Sequence, residues 1–126
     1  MLPAELLYTA QHEWLAVQPD GTVRVGITDF AQDSLGDIVF VALPGVGDDV
    51  AAGQAMGEVE STKSVSEVYA PLAGRISRRN DAVETAPETI NDDPYGEGWL
   101  VEIEPVAEVA AAEFLDVAGY EAVIKS

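Results

Sequence analysis

Few residues in this chain have side chains and spacing that could do chemistry, and one lysine differs from the rest. Lys63 is a rare cation in a chain with 6 lysine and arginine residues against 23 aspartate and glutamate residues. It lies between two carboxylates, Glu60 and Glu67, with serine and threonine beside it. A primary amine on a turn can be a solvated surface charge or an attachment point for a covalently bound group. The local pattern leaves both interpretations open.

The other candidates for catalysis are weak. The single histidine, His12, precedes Glu13 in a segment predicted to be a strand, so the two side chains should point to opposite faces. One histidine cannot form a histidine-rich metal site, and the absence of cysteine excludes disulfides and thiolate chemistry. The acid pairs Asp48-Asp49 and Asp92-Asp93 lie in loop-like segments, which favours solvated turn residues. The sequence therefore predicts no independent active site.

Composition predicts one folded domain over residues 1–126. A hydrophobic fraction of 48% is enough for one core in a chain of 126 residues. The net charge of −17 argues against nucleic-acid binding and favours solubility or steering toward basic surfaces on partner enzymes. No apolar run approaches the roughly 20 residues that span a bilayer. The N-terminal residues resemble neither a secretory nor a transit peptide, which predicts a cytoplasmic bacterial protein.

The elements that must position the lysine form a β-rich α+β pattern. Thr28 as an N-cap and Gly36 as a stop predict a short helix after the first hairpin. The Asn-, Asp- and Pro-rich residues 87–94 predict a surface loop. Residues 106–124 predict two short helices, broken near residues 116–119. The predicted strands are residues 6–8, 12–17, 22–27, 37–43, two arms of a hairpin within 57–71 that carries Lys63 at or near its tip, 74–79 and 99–104.

The hairpin sequence Glu60-Ser61-Thr62-Lys63-Ser64-Val65-Ser66-Glu67 resembles the lipoyl-attachment segment of the glycine cleavage system H protein family. Further blocks match the family in the same order, from about Leu6 to Tyr120. They include Tyr8, Gln11-His12-Glu13-Trp14, Val25 to Asp29, Leu35-Gly36-Asp37, Val39 to Pro44, Asn80-Asp81, Ile90-Asn91, Pro94-Tyr95, Gly98-Trp99 and Tyr120. Several ordered blocks are more specific than one lysine hairpin.

The resemblance implies a specific fold and a carrier function. The fold would be a barrel-sandwich hybrid with its core at about residues 6–104 and a helical extension at about 106–125. The chain would be a monomer and not an enzyme. It would take the aminomethyl group of glycine from the pyridoxal-phosphate enzyme glycine decarboxylase to the tetrahydrofolate-dependent aminomethyltransferase. Dihydrolipoyl dehydrogenase would then reoxidise the arm.

The resemblance also implies site residues. Lys63 would carry lipoate, attached by a lipoyl ligase or an octanoyltransferase that recognises the flanking residues. These flanking residues are Glu60, Ser61, Thr62 and Ser64, of which Thr62 and Ser64 replace the commoner valine and alanine. In the family the loaded arm folds back into a surface cleft, where an acid would favour the ammonium form of its cargo.

Two acids are candidates for that cleft, and each could instead be a solvated surface group. Glu13 is the leading candidate and Glu67 the second. Phe30 and Ser34 stand where many family members have histidine, so a role for imidazole there cannot be transferred to this chain. Trp14 and Tyr8 are interpreted as core or cleft-wall residues.

Three other interpretations compete with the glycine shuttle. One is an H-like relay that donates lipoyl or octanoyl groups to other lipoyl domains. Another is an unmodified acidic interaction module, in which Lys63 stays a free amine. A biotin carrier is disfavoured because Thr62 and Ser64 flank the lysine in place of methionines.

Overall fold

Two antiparallel sheets make up most of the structure, which is a computed structural model that describes residues 3–125. The strands are β1 (Leu7–Tyr8), β2 (Glu13–Val17), β3 (Val23–Ile27), β4 (Ile38–Ala42), β5 (Asp49–Val50), β6 (Ala55–Ser61), β7 (Val65–Tyr69), β8 (Gly74–Arg79) and β9 (Val101–Pro105). The helices are α1 (Asp29–Leu35), α2 (Asp81–Thr85), α3 (Glu88–Asp92) and α4 (Val117–Lys125), with a 3-10 turn at Ala111–Glu113.

The strands divide into a larger and a smaller sheet. The six-stranded sheet has the order β1-β2-β3-β9-β8-β5, and the three-stranded sheet has the order β4-β6-β7. Successive side chains on each strand point to opposite faces, so one face of each sheet packs in a shared core. Val25 and Ile103 from the larger sheet meet Val41 and Val59 from the smaller one there, all at most 2% exposed. This β-rich sandwich, with α1 after the first hairpin and α4 near the C-terminus, confirms the predicted fold class.

Local sequence signals for α1 are confirmed. Thr28 accepts the Ala31 N–H at 3.2 Å through its Oγ1, which satisfies one of the free donors at the helix start. Gly36 ends the helix with φ of 83°, a left-handed conformation that favours glycine. The helix is therefore fixed at both ends beside the lysine hairpin.

The predicted loop at residues 87–94 is wrong, because α3 occupies most of it and α2 precedes it. Asn80 caps α2 by accepting the Ala82 N–H at 3.3 Å. Val83 and Ile90 are fully buried, one from each helix. Burial against the core stabilises these helices although each has only five residues.

The C-terminal segment has two helical pieces as predicted, but the break lies earlier in the chain. The break falls at residues 114–116, and α4 continues through Gly119. Asp116 explains the difference, since its Oδ1 accepts the Gly119 N–H at 2.8 Å as an N-cap would. Tyr8 and Leu115 exchange two backbone hydrogen bonds of 2.8 Å, which ties the start of the chain to this segment.

The outer face of the six-stranded sheet carries an ion-pair cluster. Glu102 is 5% exposed and accepts Arg24 Nη2 at 2.7 Å, with Arg78 Nη1 3.6 Å away. Both guanidinium groups also lie over the Trp99 ring, 4.5 and 5.4 Å from its centroid. Two guanidinium groups on this face thus share one buried carboxylate within the sheet. No helix in the described part of the chain is long and apolar enough to cross a membrane.

Candidate functional site

Lys63 lies at the exposed tip of the β6–β7 hairpin, as the sequence predicts. Ser61 organises the turn, because its Oγ accepts the backbone N–H groups of Lys63 at 3.3 Å and Ser64 at 3.1 Å. The Ser61 N–H donates to the Ser64 carbonyl at 2.8 Å. Within residues 3–125, the Lys63 amine makes no ion pair. The turn therefore presents a free primary amine on a fixed backbone.

Contacts outside the hairpin hold this turn in place. The Thr62 N–H donates to the Asp37 carbonyl at 3.1 Å. On either side of Asp37, Asn91 accepts the Ile38 N–H at 2.9 Å and donates to the Gly36 carbonyl at 2.9 Å. The Lys63 side chain lies against this support, since a Cβ built on Gly36 would be 3.7 Å from Lys63 Cε. One asparagine on α3 thus fixes the segment on which the lysine rests.

A cleft of about 400 Å³ lies beside the hairpin, between α1 and β7. It begins at Ser64, next to the lysine, and extends to Glu13 on β2. Its apolar lining includes Ile27, Phe30, Ala31, Leu35, Val59 and Val68. The polar groups of the lining come from Gln11, His12, Ser34, Ser66 and Glu67. The cleft can hold a long, mainly apolar chain with a polar or charged end.

Glu13 is a buried carboxylate with two donors, and it lies where the two sheets meet. It is 2% exposed on β2, and its Oε2 accepts the Tyr69 N–H from β7 at 2.8 Å. Its Oε1 accepts the Thr9 hydroxyl at 3.0 Å. Burial raises the pKa of the Glu13 carboxyl to about 7, against the opposing effect of these two hydrogen bonds. Glu13 can therefore hold or release a proton near neutral pH.

The prediction that His12 and Glu13 point to opposite faces is wrong, because both line the cleft. His12 has φ of 69° and precedes β2, so strand alternation does not apply to it. Its Nδ1 is 2.7 Å from the Tyr120 hydroxyl, which is also 2.7 Å from Thr28 Oγ1. The ring packs against Phe30, with centroids 4.9 Å apart, and burial lowers the pKa of His12. A tyrosine on α4 thus fixes the cleft-side histidine.

Tyr8 and Trp14 are core residues, each at most 1% exposed. Tyr8 stacks on Tyr120, with centroids 4.8 Å apart, and Trp14 Nε1 donates to the Pro94 carbonyl at 3.0 Å. Tyr8 also lines a second depression of about 510 Å³, on the side of the 3-10 turn. Gln11 and Glu13 line both depressions, so the buried carboxylate lies between them.

The remaining predicted residues lie near the hairpin with different exposures. Glu67 is exposed on β7 at the rim of the cleft, directly opposite Glu58 on β6. Glu60 is half-buried, and both Thr62 and Ser64 are exposed. The structure thus brings Glu13 and Glu67 to one cleft but gives them opposite environments.

The sequence reasoning missed three contributors to the cleft. Thr9 and Tyr69 bind the Glu13 carboxylate, and Tyr120 holds His12. The Tyr69 contribution comes from a backbone N–H, for which the sequence carries no signal. Tyr120 had one: it is the only tyrosine in the C-terminal segment, within an otherwise Ala- and Glu-rich stretch.

Comparisons with known proteins agree with each other. The family model described as "Glycine cleavage H-protein" matches residues 6–126. A glycine cleavage system H protein of Mycolicibacterium vanbaalenii is 55% identical over 96% of this chain and 95% of its own length. That of Mycolicibacterium smegmatis is also 55% identical, over 98% of this chain and 96% of its own length. A crystal structure of the Mycobacterium marinum protein, 46% identical, superposes with a TM-score of 0.90 over 99% of this chain and 100% of that one.

Proposed function

The chain belongs to the glycine cleavage H-protein family, and we propose that it carries lipoate on Lys63 as the shuttle of the glycine cleavage system. Membership makes the chain a carrier component of that system; the modified residue and the reactions it serves are the proposal. The observation that carries it is the exposed, unpaired Lys63 amine at the start of a cleft that ends at a buried acid.

The residues present fit a lipoyl group. A lysine amine can form an amide with its carboxyl carbon, and Lys63 lies on a hydrogen-bonded turn at the exposed tip of the hairpin. The cleft beside it offers apolar walls, including Ile27, Leu35 and Val68, to an alkyl chain and a dithiolane ring. Its volume of about 400 Å³ is sufficient for such an arm.

In the attachment step, the neutral Nζ of Lys63 attacks the activated acyl carbon. The amide bond forms as the activating group leaves with its bonding electron pair, and the amine loses a proton. The enzyme that brings the acyl group is a lipoyl ligase or an octanoyltransferase. The turn residues Ser61, Thr62 and Ser64 and the neighbouring Glu60 present the amine to it.

Attached lipoate would supply a disulfide that could take up the aminomethyl group at glycine decarboxylase. Once tetrahydrofolate had received that group at the aminomethyltransferase, the arm would be a dithiol, which dihydrolipoyl dehydrogenase would reoxidise. Catalysis at each stage belongs to the partner enzyme, so this chain acts as a non-enzymatic carrier. Its own residues bind and orient the arm and shield the aminomethyl group from water.

Glu13 holds a cationic amine at the end of the cleft. A carboxylate among apolar side chains attracts an ammonium group more strongly than it would in water. Because burial raises its pKa to about 7, Glu13 can accept the ammonium proton or keep it shared. Glu67, at the exposed rim, adds a weaker attraction that salt screens. The apolar walls exclude water from the bound amine.

The proposed setting is a single domain that works as a monomer in the bacterial cytoplasm. The relatives named above are bacterial. A freely diffusing carrier can present one lysine tip to three different active sites in turn. The tether raises the effective concentration of the arm at each of them.

The test replaces Lys63→Arg, with Lys125→Arg on α4 as the control for loss of a lysine. Peptide mass spectrometry after incubation with lipoate, ATP and a lipoyl ligase should find the adduct on Lys63 in the wild type and the control. Reconstitution with the three partner enzymes should give glycine decarboxylation for both and none for Lys63→Arg. An unmodified wild type would refute the proposal. Modification without glycine-dependent turnover would favour the relay.

A further inference from the structure

The outer face of the three-stranded sheet carries a row of apolar and acidic side chains beside Lys63. Phe40 on β4 pairs with Glu60 on β6, and Glu60 pairs with Val65 on β7. Directly paired residues point to the same face of a sheet, so these three side chains form one row. Phe40 is 51% exposed and Val65 57% exposed. An aromatic ring on the edge strand β4 therefore lies half in solvent.

Nothing in the described part of the chain covers this face. Its opposite side is the core side, where Val41, Val59 and Val68 are buried. The next outward row is Ala42, Glu58 and Glu67, which borders a shallow depression of about 340 Å³. We call the two outward rows, together with Val39, the hairpin face. Exposed apolar groups that are rimmed by charge mark interaction surfaces.

The charges of the hairpin face are not neutralised within the chain. No arginine lies on β4, β6 or β7, and Lys63 is the only cation of the hairpin. Glu58, Glu60 and Glu67 make no ion pair with any residue in the described range. Glu58 and Glu67 even lie directly opposite each other. This like-charge pair is unfavourable in the free protein and complements a basic partner surface.

We propose that the hairpin face is the docking surface for the enzyme that acylates Lys63. That enzyme offers an apolar pocket for Phe40, inside a rim of arginine or lysine side chains that meets Glu58 and Glu60. This proposal rests on the proposed function, since it requires Lys63 to be acylated.

The position of the face selects this partner over the enzymes that act on the finished arm. The Phe40–Glu60 row lies three residues from Lys63 along the hairpin, roughly 10 Å for extended chain. An enzyme that takes the Lys63 amine into its active site has only the length of one side chain to work with. Its surface must therefore contact the residues nearest the tip. An attached arm would give later enzymes a longer reach and more freedom in where they dock.

The decisive experiment is the steady-state kinetics of lipoylation, with a lipoate–protein ligase, lipoate and ATP. Phe40→Ala should raise the KM for the carrier about tenfold and leave kcat unchanged, since an aromatic anchor contributes to binding and not to bond formation. Val39→Ser should raise KM about threefold. Its matched control is Val17→Ser on the six-stranded sheet, because both valines are 55% exposed on strands. The control should leave KM unchanged.

Charge gives a second, independent readout. Glu58→Gln should lower kcat/KM about threefold at low salt, and the difference should disappear at high salt, as expected for electrostatic steering. Glu108→Gln, an exposed acid in the loop after β9, should have no effect at either salt concentration. All five substitutions are at exposed positions, and free energies of unfolding within about 0.5 kcal/mol of the wild type will confirm that they leave the fold intact.

The outcomes separate this proposal from the proposed function. Normal acylation of the wild type with equal KM values for Phe40→Ala and Val17→Ser would overturn the docking surface and leave the carrier function standing. Normal acylation of Phe40→Ala with a slowed glycine cycle would assign the face to another partner and also overturn the proposal. A wild type that is never acylated would overturn both.

Discussion

The two sheets treat their charges in opposite ways. All four arginines of the chain lie on the six-stranded sheet, on β3 and β8, and every ion pair seen in residues 3–125 uses one of them. The three-stranded sheet has three glutamates facing outward, no arginine and one unpaired lysine at its tip. The arginines of the larger sheet are paired with acids of that sheet or of α2, whereas the smaller sheet leaves its charges to solvent or a partner.

Paired charges stabilise the surface of the larger sheet, whereas the unpaired charges of the smaller sheet remain available to bind a partner. Buried and paired charges, as at Glu102, fix a surface and make it unsuited to exchange of partners. Exposed, unpaired charges cost little and contribute little to folding, but they attract an oppositely charged surface. Glu13 connects the two sheets, since it lies on β2 of the larger sheet and accepts a hydrogen bond from Tyr69 of the smaller one.

Removal of the charge that connects the sheets should give the largest stability effect. The pKa of Glu13 rises from 4.5 to about 7 on folding, so the folded state favours the protonated acid. That stabilisation is complete below pH 4.5 and is lost as the pH rises to 7. The loss is on the order of 3 kcal/mol. In Glu13→Gln the amide oxygen can accept the Tyr69 N–H, and the amide nitrogen can donate to the Thr9 hydroxyl oxygen. The variant should therefore be more stable than the wild type at pH 8 by that amount.

Urea unfolding of both proteins at a series of pH values measures this difference. The difference between the two proteins isolates Glu13 from the other acids of the chain. The two free energies of unfolding should converge near pH 4.5. A constant difference between pH 4.5 and 8 would contradict the raised pKa.

Removal of the paired charge should destabilise the larger sheet. Glu102→Ala leaves Arg24 and Arg78 without their carboxylate, next to the Trp99 ring. The free energy of unfolding should fall by about 2 kcal/mol. This is a small loss for a buried pair, because both arginines keep part of their surface in water. Urea unfolding at pH 7 measures it. A loss below about 0.5 kcal/mol, the size of an ordinary surface substitution, would remove the distinction between the sheets.

The smallest effect should have the opposite sign. Glu58→Gln relieves the like-charge contact with Glu67 and should stabilise the protein by about 0.3 kcal/mol at low salt, with no gain at high salt. Its counterpart on the larger sheet is Glu104→Gln, which removes a charge directly opposite Arg75 and should lose a similar amount. Equal signs for the two variants would contradict the contrast in charge arrangement. Thermal unfolding at two salt concentrations is sensitive enough to show the signs.

The sequence predicted most of the fold where local chemistry decides the structure. The lysine hairpin depends on Ser61 and its neighbours, and α1 on Thr28 and Gly36, so short-range patterns were sufficient. Helices α2 and α3 were not predicted, because their five-residue sequences favour turns and gain stability only when Val83 and Ile90 enter the core.

The residues of the candidate site could be named from the sequence, but the environment of each could not. Lys63, Glu13 and Glu67 were singled out from the sequence, yet nothing local shows that Glu13 is buried. Its burial depends on a backbone N–H from Tyr69, 56 positions away. The left-handed backbone of His12 was equally hidden, since the sequence pattern placed that residue inside a strand.

The pairing of Tyr8 with Leu115 has a consequence for the order of events during synthesis. The lysine hairpin leaves the ribosome well before α4 exists, because the chain is made from its N-terminus. The wall that holds His12 requires Tyr120 and therefore waits for the last residues. A nascent chain that does not yet include α4 presents the lysine before Tyr120 can fix His12 at the cleft.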